Sequence, residues 1–272
     1  MSGQRRRERD HQNAAQEVSD CTRPHKFGAN AKFPKSIFAR AIRRHLAERR
    51  LEVVFRKPFN AAKRMNGGDW PLHGETMIGI KRLENIRDSV RTVIEESIPG
   101  DCVETGVWRG GGSIMMKAAL KAYGDERRNI WCADSFEGLP APDNRYSQDD
   151  GADWHTYPEL SVSLEQVQAN FRKYDLLDDR IHFLKGWFKD TLPTAPIDQI
   201  AILRLDGDMY ASTMDALNPL YDRVSSGGFI IVDDYGLIQD ACKEAINDFR
   251  AARSITDQII DIDGFGAYWR KS

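Results

Sequence analysis

The sequence predicts an α/β protein built around a mostly parallel β-sheet. From residue 100 onward, short apolar segments of strand length alternate with amphipathic segments of helix length. That alternation is typical of parallel strands covered by helices on both faces of the sheet. The last segment, "QIIDIDGFGAYWRK", predicts two short strands around a glycine-containing turn. The predicted parallel strands are 102–105, 130–134, 181–186, 200–206 and 228–234, and the helices that follow them are 111–123, 163–175, 210–222 and 238–252.

The N-terminal part of the chain predicts a separate extension over residues 1–66, followed by one domain over 67–272. Residues 1–35 are polar, basic and without periodicity, so we expect them to be disordered. The segment "SIFARAIRRHLAERRLEVVF" has an apolar stripe at helical spacing with arginines on the other face. We expect this basic extension to pack on the more acidic remainder of the chain or on a second copy, which predicts a homodimer or larger assembly.

Composition restricts the class of protein. No apolar stretch has the roughly 18 residues that a membrane span requires, and the N-terminal arginines are not followed by the apolar run of a secretory signal. The four cysteines are scattered without a CxxC pair, so neither a zinc site nor a disulfide framework is predicted. These features predict a cytoplasmic protein with no membrane or nucleic-acid partner.

A further helix is predicted over "ETMIGIKRLENIRDSVRTVIEES", before the first strand.

The first strand runs into a glycine-rich turn, in "ETGVWRGGGSIMM". Glycines let a ligand approach the backbone closely, which is typical of a nucleotide-binding strand–turn–helix unit. The spacing does not fit G-x-G-x-x-G, and Glu104 would repel a pyrophosphate. An acid there suits a ligand with a cationic end, such as S-adenosylmethionine; the alternative is a tight turn that binds nothing.

Two later strands add candidate contacts to the same ligand. Asp134 ends the second strand, where an acid accepts hydrogen bonds from both ribose hydroxyls of a nucleotide. Trp187 and Phe188 follow the third strand and either flank an adenine ring or pack in the core.

The fourth and fifth strands each end in a pair of acids, Asp206 with Asp208 and Asp233 with Asp234. Ligands bind at the carboxyl ends of parallel strands, so we expect these four side chains to lie at one edge of the sheet. Oxygen ligands without nearby His or Cys suit Mg²⁺, Mn²⁺ or Ca²⁺, and a divalent cation would cancel the repulsion between the carboxylates. Capping of the following helices explains one acid at each strand end but not two.

Six segments of this sequence are similar to the macrocin O-methyltransferase (TylF-type) family. They are "VETGVWRGGGSIMM", "ADSFEGLPAPD", "GWFKDTLP", "LRLDGDMYASTMDALNPLY", "GGFIIVDDYG" and "IDGFGAYWRK". The resemblance covers roughly residues 70–272, whereas residues 1–65 depart from it. It implies a Rossmann-like class I methyltransferase fold with an antiparallel C-terminal strand. It also implies an enzyme that uses S-adenosylmethionine and Mg²⁺ to methylate a hydroxyl of a small-molecule glycoside or other vicinal diol.

The resemblance also implies roles for individual residues. Asp208 falls where the family has its general base, and His155 resembles a family active-site histidine in a substrate lid that spans 142–161. The metal ligands fall on Asp206, Asp233 and Asp234. The cofactor-binding positions fall on Thr76, Met77, Glu104, Thr105, Gly106, Arg109, Gly110, Ser113, Asp134, Ser135 and Trp187.

Three other functions account for part of the pattern. The letters "DGD" satisfy the D-x-D motif of a metal-dependent glycosyltransferase, but that function leaves the second acidic pair unexplained. An NAD-dependent dehydrogenase disagrees with the glycine spacing and with the cluster of acids. A scaffold without catalysis disagrees with the intact set of four aspartates.

Overall fold

A seven-stranded sheet organises the computed structural model, which describes residues 59–143, 145–236 and 241–272. The strand order is β3-β2-β1-β4-β5-β7-β6; β1 to β5 run parallel, and β7 pairs antiparallel with both β5 and β6. The bounds are β1 Asp101–Thr105, β2 Ile130–Asp134, β3 Ile181–Lys185, β4 Ile200–Leu205, β5 Val224–Val232, β6 Ile260–Asp261 and β7 Ala267–Arg270. The predicted fold class, including the antiparallel strand, is confirmed.

Seven α-helices accompany the strands in the part of the chain that the structure describes. They are α1 Ala61–Met65, α2 Ile80–Glu95, α3 Gly111–Ala122, α4 Leu164–Lys173, α5 Phe188–Thr191, α6 Tyr210–Leu220 and α7 Ala241–Ala252. Single 3-10 turns lie at Ser147–Asp149, Trp154–Thr156, Pro158–Leu160 and Tyr221–Arg223. Residues Lys63–Ser272 form one compact unit. The predicted helix at 36–55 lies outside the described residues and stays a prediction. The predicted helix 238–252 is described from Ala241 onward as α7, and its residues 238–240 lie outside the described residues.

Each face of the sheet is covered because neighbouring strand residues point to opposite sides. Cys102 packs on one side with apolar residues of α2, α3 and α4, whereas Val103 packs on the other side with residues of α6 and α7. The central strand β4 is buried along its whole length. This two-sided burial leaves the carboxyl ends of the strands as the place where polar side chains collect. No helix among the described residues is long and apolar enough to cross a membrane.

Helix α2 begins later than the sequence predicts, at Ile80 and not near residue 75. The backbone of Gly79 is extended, and the backbone N–H of Ile78 donates to Thr76 Oγ1 at 3.2 Å. The residues before Ile80 are therefore not helical. Short side chains such as threonine offer the backbone this alternative to a helix. The segment 75–79 is therefore free to lie against the glycine-rich turn.

Candidate active site

Hydrogen bonds continue past the ends of three neighbouring strands and hold their loops side by side. The N–H of Gly106 donates to Ala133 O at 2.8 Å, that of Asp206 to Thr105 O at 2.9 Å, and that of Asp233 to Leu205 O at 2.9 Å. The glycine-rich turn after β1 consequently lies directly beside the acids after β4, and these lie beside the acids after β5.

Gly106 brings the glycine-rich turn against Asp206. Its φ of +83° is in the left-handed region, and a Cβ atom at this position would overlap the carbonyl oxygen of Asp206. Only glycine accommodates both the backbone conformation and the close approach. The two halves of the candidate site therefore share a wall made of backbone atoms.

The start of α3 contacts the segment that precedes α2. The N–H of Gly111 donates to Glu75 O at 2.9 Å, next to the predicted cofactor residues Thr76 and Met77. Arg109 Nη1 donates to the carbonyl oxygens of Pro71 and Gly74, both at 2.9 Å. Arg109 thus ties the loop before α2 to the turn, and Gly110 caps α3 with a left-handed φ of +88°.

Asp134 joins the turn after β1 to the turn after β2. Its Oδ2 accepts from the N–H of Val107 at 2.8 Å, and its Oδ1 accepts from the N–H of Phe136 at 2.7 Å. Burial raises the pKa of Asp134, and these backbone donors act in the opposite direction. Ser135 Oγ donates to Gly138 O at 2.6 Å and shapes the same turn. The hydroxyls of a ribose bound here would donate to the same carboxylate oxygens of Asp134 that accept from these backbone N–H groups.

Glu104 lies beneath the turn and not at its surface. Its side chain is only 1% exposed; Oε1 is 2.5 Å from Arg204 Nη1, and Oε2 accepts a hydrogen bond from Ser113 Oγ. From the sequence alone, a carboxylate that faces a cationic ligand is expected at this position. The structure supplies the positive charge from within the chain, so Glu104 and Ser113 support the turn from below.

Two buried arginines were missed in the sequence analysis. Arg204 Nη1 is 2.7 Å from Asp206 Oδ2, and its Nη2 donates to Asp233 Oδ1. Arg82, from α2, is 2.5 Å from Asp233 Oδ2 and 3.0 Å from Asp263 Oδ2. The signal for Arg204 was present, because an arginine in the apolar segment "IAILRLD" must be paired if that strand is central.

The carboxylates of Asp206, Asp208 and Asp234 form a compact group. One oxygen of each lies within 4.8 Å of the others, which is a geometry that a cation can bridge. The predicted ligand set was Asp206, Asp233 and Asp234, so two of its three members belong to this group. Both oxygens of Asp233 instead accept arginine N–H bonds, and Asp208 occupies the third place.

The backbone at Asp208 is held in an unusual conformation. Its φ is +56°, which costs a non-glycine residue roughly 1–2 kcal/mol. Its N–H donates to Asp234 Oδ2 at 3.0 Å, so the acid after β5 stabilises this conformation. Backbone strain of this kind concentrates at functional sites.

Charge repulsion is concentrated in the same acidic group. Burial and then the charge of Asp233 raise the pKa of Asp206 to about 8 and that of Asp208 to about 6. Burial and then Asp208 also raise the pKa of Asp234. Burial acts on Asp233 in the same direction, but Arg204 and Arg82 outweigh it and lower its pKa. The two arginines therefore compensate Asp233 and leave the acidic group short of positive charge.

The predicted lid is attached to the helix that follows the acidic group. Both carboxylate oxygens of Asp149 cap α6, accepting from Tyr210 N at 2.7 Å and Ala211 N at 2.9 Å. His155 is exposed and does not belong to the group of acids. Trp187, just before α5, is half-buried.

Comparison with known proteins identifies relatives that cover most of the chain. The profile of the family "Macrocin-O-methyltransferase (TylF)" matches residues 17–271. A tetracenomycin-C 4'-O-methyltransferase of Streptomyces olivaceus is 51% identical and covers 78% of this chain and 81% of its own. Demethyldecarbamoylnovobiocin O-methyltransferase of Streptomyces niveus is 52% identical over 77% of this chain and 80% of its own.

Solved structures agree with these relatives. The O-methyltransferase NovP has a TM-score of 0.76 at 52% identity, covering 78% of this chain and 88% of its own. Calicheamicin methyltransferase CalS11 has a TM-score of 0.58 at 17% identity, covers 80% of this chain and 94% of its own, and supports the fold alone.

The family match begins well before the region that the sequence analysis assigned to the family. Because it reaches back to residue 17, most of the basic N-terminal segment lies within the family and is not a departure from it. The glycosyltransferase, dehydrogenase and scaffold alternatives are set aside by the same comparisons. This chain belongs to the TylF macrocin-O-methyltransferase family and is an S-adenosylmethionine-dependent O-methyltransferase.

Proposed function

We propose that this enzyme methylates a sugar hydroxyl that has a second oxygen on the neighbouring carbon, and that it does so with Mg²⁺ bound by aspartates that follow β4 and β5. The observation that carries the proposal is the contact between the glycine-rich turn and Asp206: a methyl donor bound at that turn would lie beside three carboxylates whose pKa values are raised. Carboxylate oxygens without His or Cys suit Mg²⁺.

The named relatives support a glycoside acceptor. One acts at the 4' oxygen of a 2,3-dimethoxy-rhamnosyl tetracenomycin, and another is a mycinamicin III 3''-O-methyltransferase, which is 48% identical over 81% of this chain. In the first of these acceptors the oxygen next to the reacting hydroxyl carries a methyl group. We therefore propose that the acceptor needs an oxygen atom on the carbon next to the reacting hydroxyl. That oxygen belongs either to a free hydroxyl, as in a vicinal diol, or to a methoxy group.

Asp206 and Asp234 belong both to the ligand set that the family resemblance implies and to the compact group of carboxylates, so we propose them as ligands. The third ligand is either Asp233, as the family resemblance implies, or Asp208, which lies in the compact group. We assign Asp233 because each of its carboxylate oxygens has a second lone pair besides the one that faces an arginine. Asp208 is then left to act on the acceptor.

The proposed chemistry is an in-line displacement at the methyl group. S-adenosylmethionine would supply the methyl group: the bond between the acceptor oxygen and the methyl carbon forms as the bond from that carbon to the sulfonium sulfur breaks, and S-adenosylhomocysteine leaves. Mg²⁺ held by Asp206, Asp233 and Asp234 would lower the pKa of the acceptor hydroxyl and fix its orientation. Asp208 takes the hydroxyl proton, and its pKa of about 6 leaves it ionised near neutral pH. Gly207 packs against Ser212 and Phe188, so a side chain at this position would be crowded. The lid, which Asp149 anchors to α6, would exclude water from the reaction.

We propose the cytoplasm as the location and a homodimer as the working assembly. Cys102, Cys132 and Cys242 are buried free thiols, which suits a reducing compartment.

Matched pairs of acceptors test the proposed function. Purified enzyme with S-adenosylmethionine and Mg²⁺ is offered glycosides that differ only at the carbon beside the target hydroxyl, bearing a hydroxyl, a methoxy group or hydrogen. We expect mass spectrometry to detect the gain of one methyl group on the first two and little on the deoxy compound. Equal methylation of the deoxy compound would contradict chelation of the acceptor by the cation.

A further inference from the structure

Arg204 links the cofactor turn to the acidic group through buried contacts. It is the penultimate residue of β4, its side chain is 2% exposed, and it contacts an acid at the carboxyl end of each of three neighbouring strands. In the parallel pairing Glu104 of β1 lies opposite Arg204, and Asp206 follows two residues later on the same face of β4. Asp233 lies two residues beyond Ile231, the partner of Arg204 on β5. Strand alternation therefore directs all four side chains to one face of the sheet.

The guanidinium divides its donors between the two halves of the site. Nη1 contacts both Glu104 Oε1 at 2.5 Å and Asp206 Oδ2 at 2.7 Å, and Nη2 donates to Asp233. Glu104 is held from its other side by Ser113 of α3, the helix that begins at the glycine-rich turn. A single charged group thus faces a carboxylate under the cofactor turn and two carboxylates at the proposed cation site.

We propose that Arg204 is a positioning residue whose charge is shared between Glu104 and the proposed metal ligands, so that Glu104 sets the affinity of the acidic group for Mg²⁺ without contacting the ion. The inference rests on the proposed function, since it concerns the same cation site. When Glu104 is ionised, it neutralises part of the arginine charge that opposes a cation at Asp206. When Glu104 is neutral, the whole charge of Arg204 faces Asp206 and Asp233 and competes with the cation.

The fork of arginine is required for this sharing. Two terminal nitrogens reach three carboxylates in one plane, whereas a lysine ammonium is a point charge that cannot hold the same three partners. Arg204→Lys therefore keeps the positive charge but removes the simultaneous contact with Glu104 and the two aspartates.

The test is calorimetric titration of Mg²⁺ into the full-length, metal-free protein. For Glu104→Gln, which preserves shape, we expect the Mg²⁺ dissociation constant to rise about tenfold, within the range of couplings between sites in proteins. In the Arg204→Lys background we expect the same Glu104→Gln change to alter the dissociation constant less than twofold. Such non-additivity is the signature of two residues that act through each other.

The matched control is a second buried arginine–aspartate pair, at the amino end of the sheet. Arg128 Nε is 2.9 Å from Asp125 Oδ2, and Arg128 Nη1 donates to Gly100 O before β1 begins. Asp125→Asn removes a comparable buried charge, so it should lower thermal stability while leaving the Mg²⁺ dissociation constant unchanged. An equal shift in Asp125→Asn, or an unchanged constant in Glu104→Gln, would overturn the inference.

One further variant and one measurement on the wild-type protein distinguish failure of this inference from failure of the proposed function. Ser113→Ala releases Glu104 from its other partner without altering any charge, so it should change the Mg²⁺ dissociation constant by a smaller factor than Glu104→Gln does. A change in Ser113→Ala as large as that in Glu104→Gln would overturn the inference, because the charge of Glu104 would then not be what matters. Absence of Mg²⁺ binding to the wild-type protein would instead contradict the proposed function itself.

Discussion

Gly106 shows at the level of one residue how closely the cofactor turn fits against the acids. Gly106→Ala would place a methyl group on the carbonyl of Asp206 and force an L residue to a φ of +83°. We expect loss of S-adenosylmethionine binding, measured by calorimetry, together with a lower melting temperature. Gly124→Ala is the control, because it has a φ of +75° with open space around the position. It should cost only the backbone strain of roughly 1–2 kcal/mol and leave the cofactor affinity unaltered. Similar cofactor affinity in the two variants would contradict the claim that the contact between Gly106 and Asp206 shapes the cofactor site.

We expect Asp206 and Asp208 to have separable roles although they are two residues apart. Asp208→Asn preserves shape but cannot take a proton, so turnover should fall by roughly 10²–10⁴-fold with Mg²⁺ and cofactor affinity retained. Asp206→Asn should weaken Mg²⁺ binding, and added metal should restore part of its turnover. For both variants, turnover is measured as a function of Mg²⁺ concentration. Rescue of Asp208→Asn by excess Mg²⁺ would make Asp208 the third ligand and leave the base to be sought elsewhere, with His155 the first candidate.

At the level of elements, the lid and α6 are connected through Asp149. Its carboxylate caps the helix that begins just after Asp208, and it is 2% exposed. Asp149→Ala removes the cap, so stability should fall by about 1–2 kcal/mol and the lid should be cleaved faster in limited proteolysis. Arg145→Ala is the comparison, because this lid residue makes an exposed ion pair with Asp215. Exposed pairs contribute only about 0–1 kcal/mol. Equal proteolysis of the two variants would argue against Asp149 as the anchor.

The order of elements was predictable because burial dictates it. Two-sided burial makes β4, apart from Arg204, and the second half of β5 apolar, and the abrupt ends of both strands in acid located the candidate site. The partners of those acids were not predictable from the same pattern. Arg204 meets Glu104 only because β1 and β4 are neighbours in one register, and Arg82 arrives from a helix that is distant in sequence. The 3-10 turns of the lid have no periodicity to recognise, and the late start of α2 coincides with a local hydrogen bond to the Thr76 hydroxyl and an extended Gly79, neither of which the apolar pattern indicates.

The whole molecule should respond to pH through its acidic group. Without metal, Asp206 has a pKa of about 8 and Asp208 of about 6, both above the value of roughly 4 in the unfolded chain. The folded state therefore binds more protons than the unfolded state in this window, and this contribution to stability is lost as pH rises from about 4 to about 8. Mg²⁺ binds only the ionised carboxylates, so it should raise the melting temperature more at about pH 8 than at about pH 5.5.

Thermal unfolding in chelator and in Mg²⁺ at the two pH values checks this dependence. Asp206→Asn is the control, because it removes the most strongly shifted of the two numbered groups and should reduce the difference. A Mg²⁺ effect that is larger at the lower pH would contradict the assignment of the cation to these acids.

The most direct test of the account is methyl transfer by the wild-type enzyme after exhaustive chelation. The acceptor is the best glycoside from the matched pairs, and S-adenosylmethionine is saturating. The account predicts no product in chelator, with turnover restored by Mg²⁺ in proportion to occupancy of the acidic group and not by added monovalent salt. Undiminished turnover in the chelated enzyme would contradict the account, because the carboxylates of Asp206, Asp208 and Asp234 would then serve the fold and not the reaction.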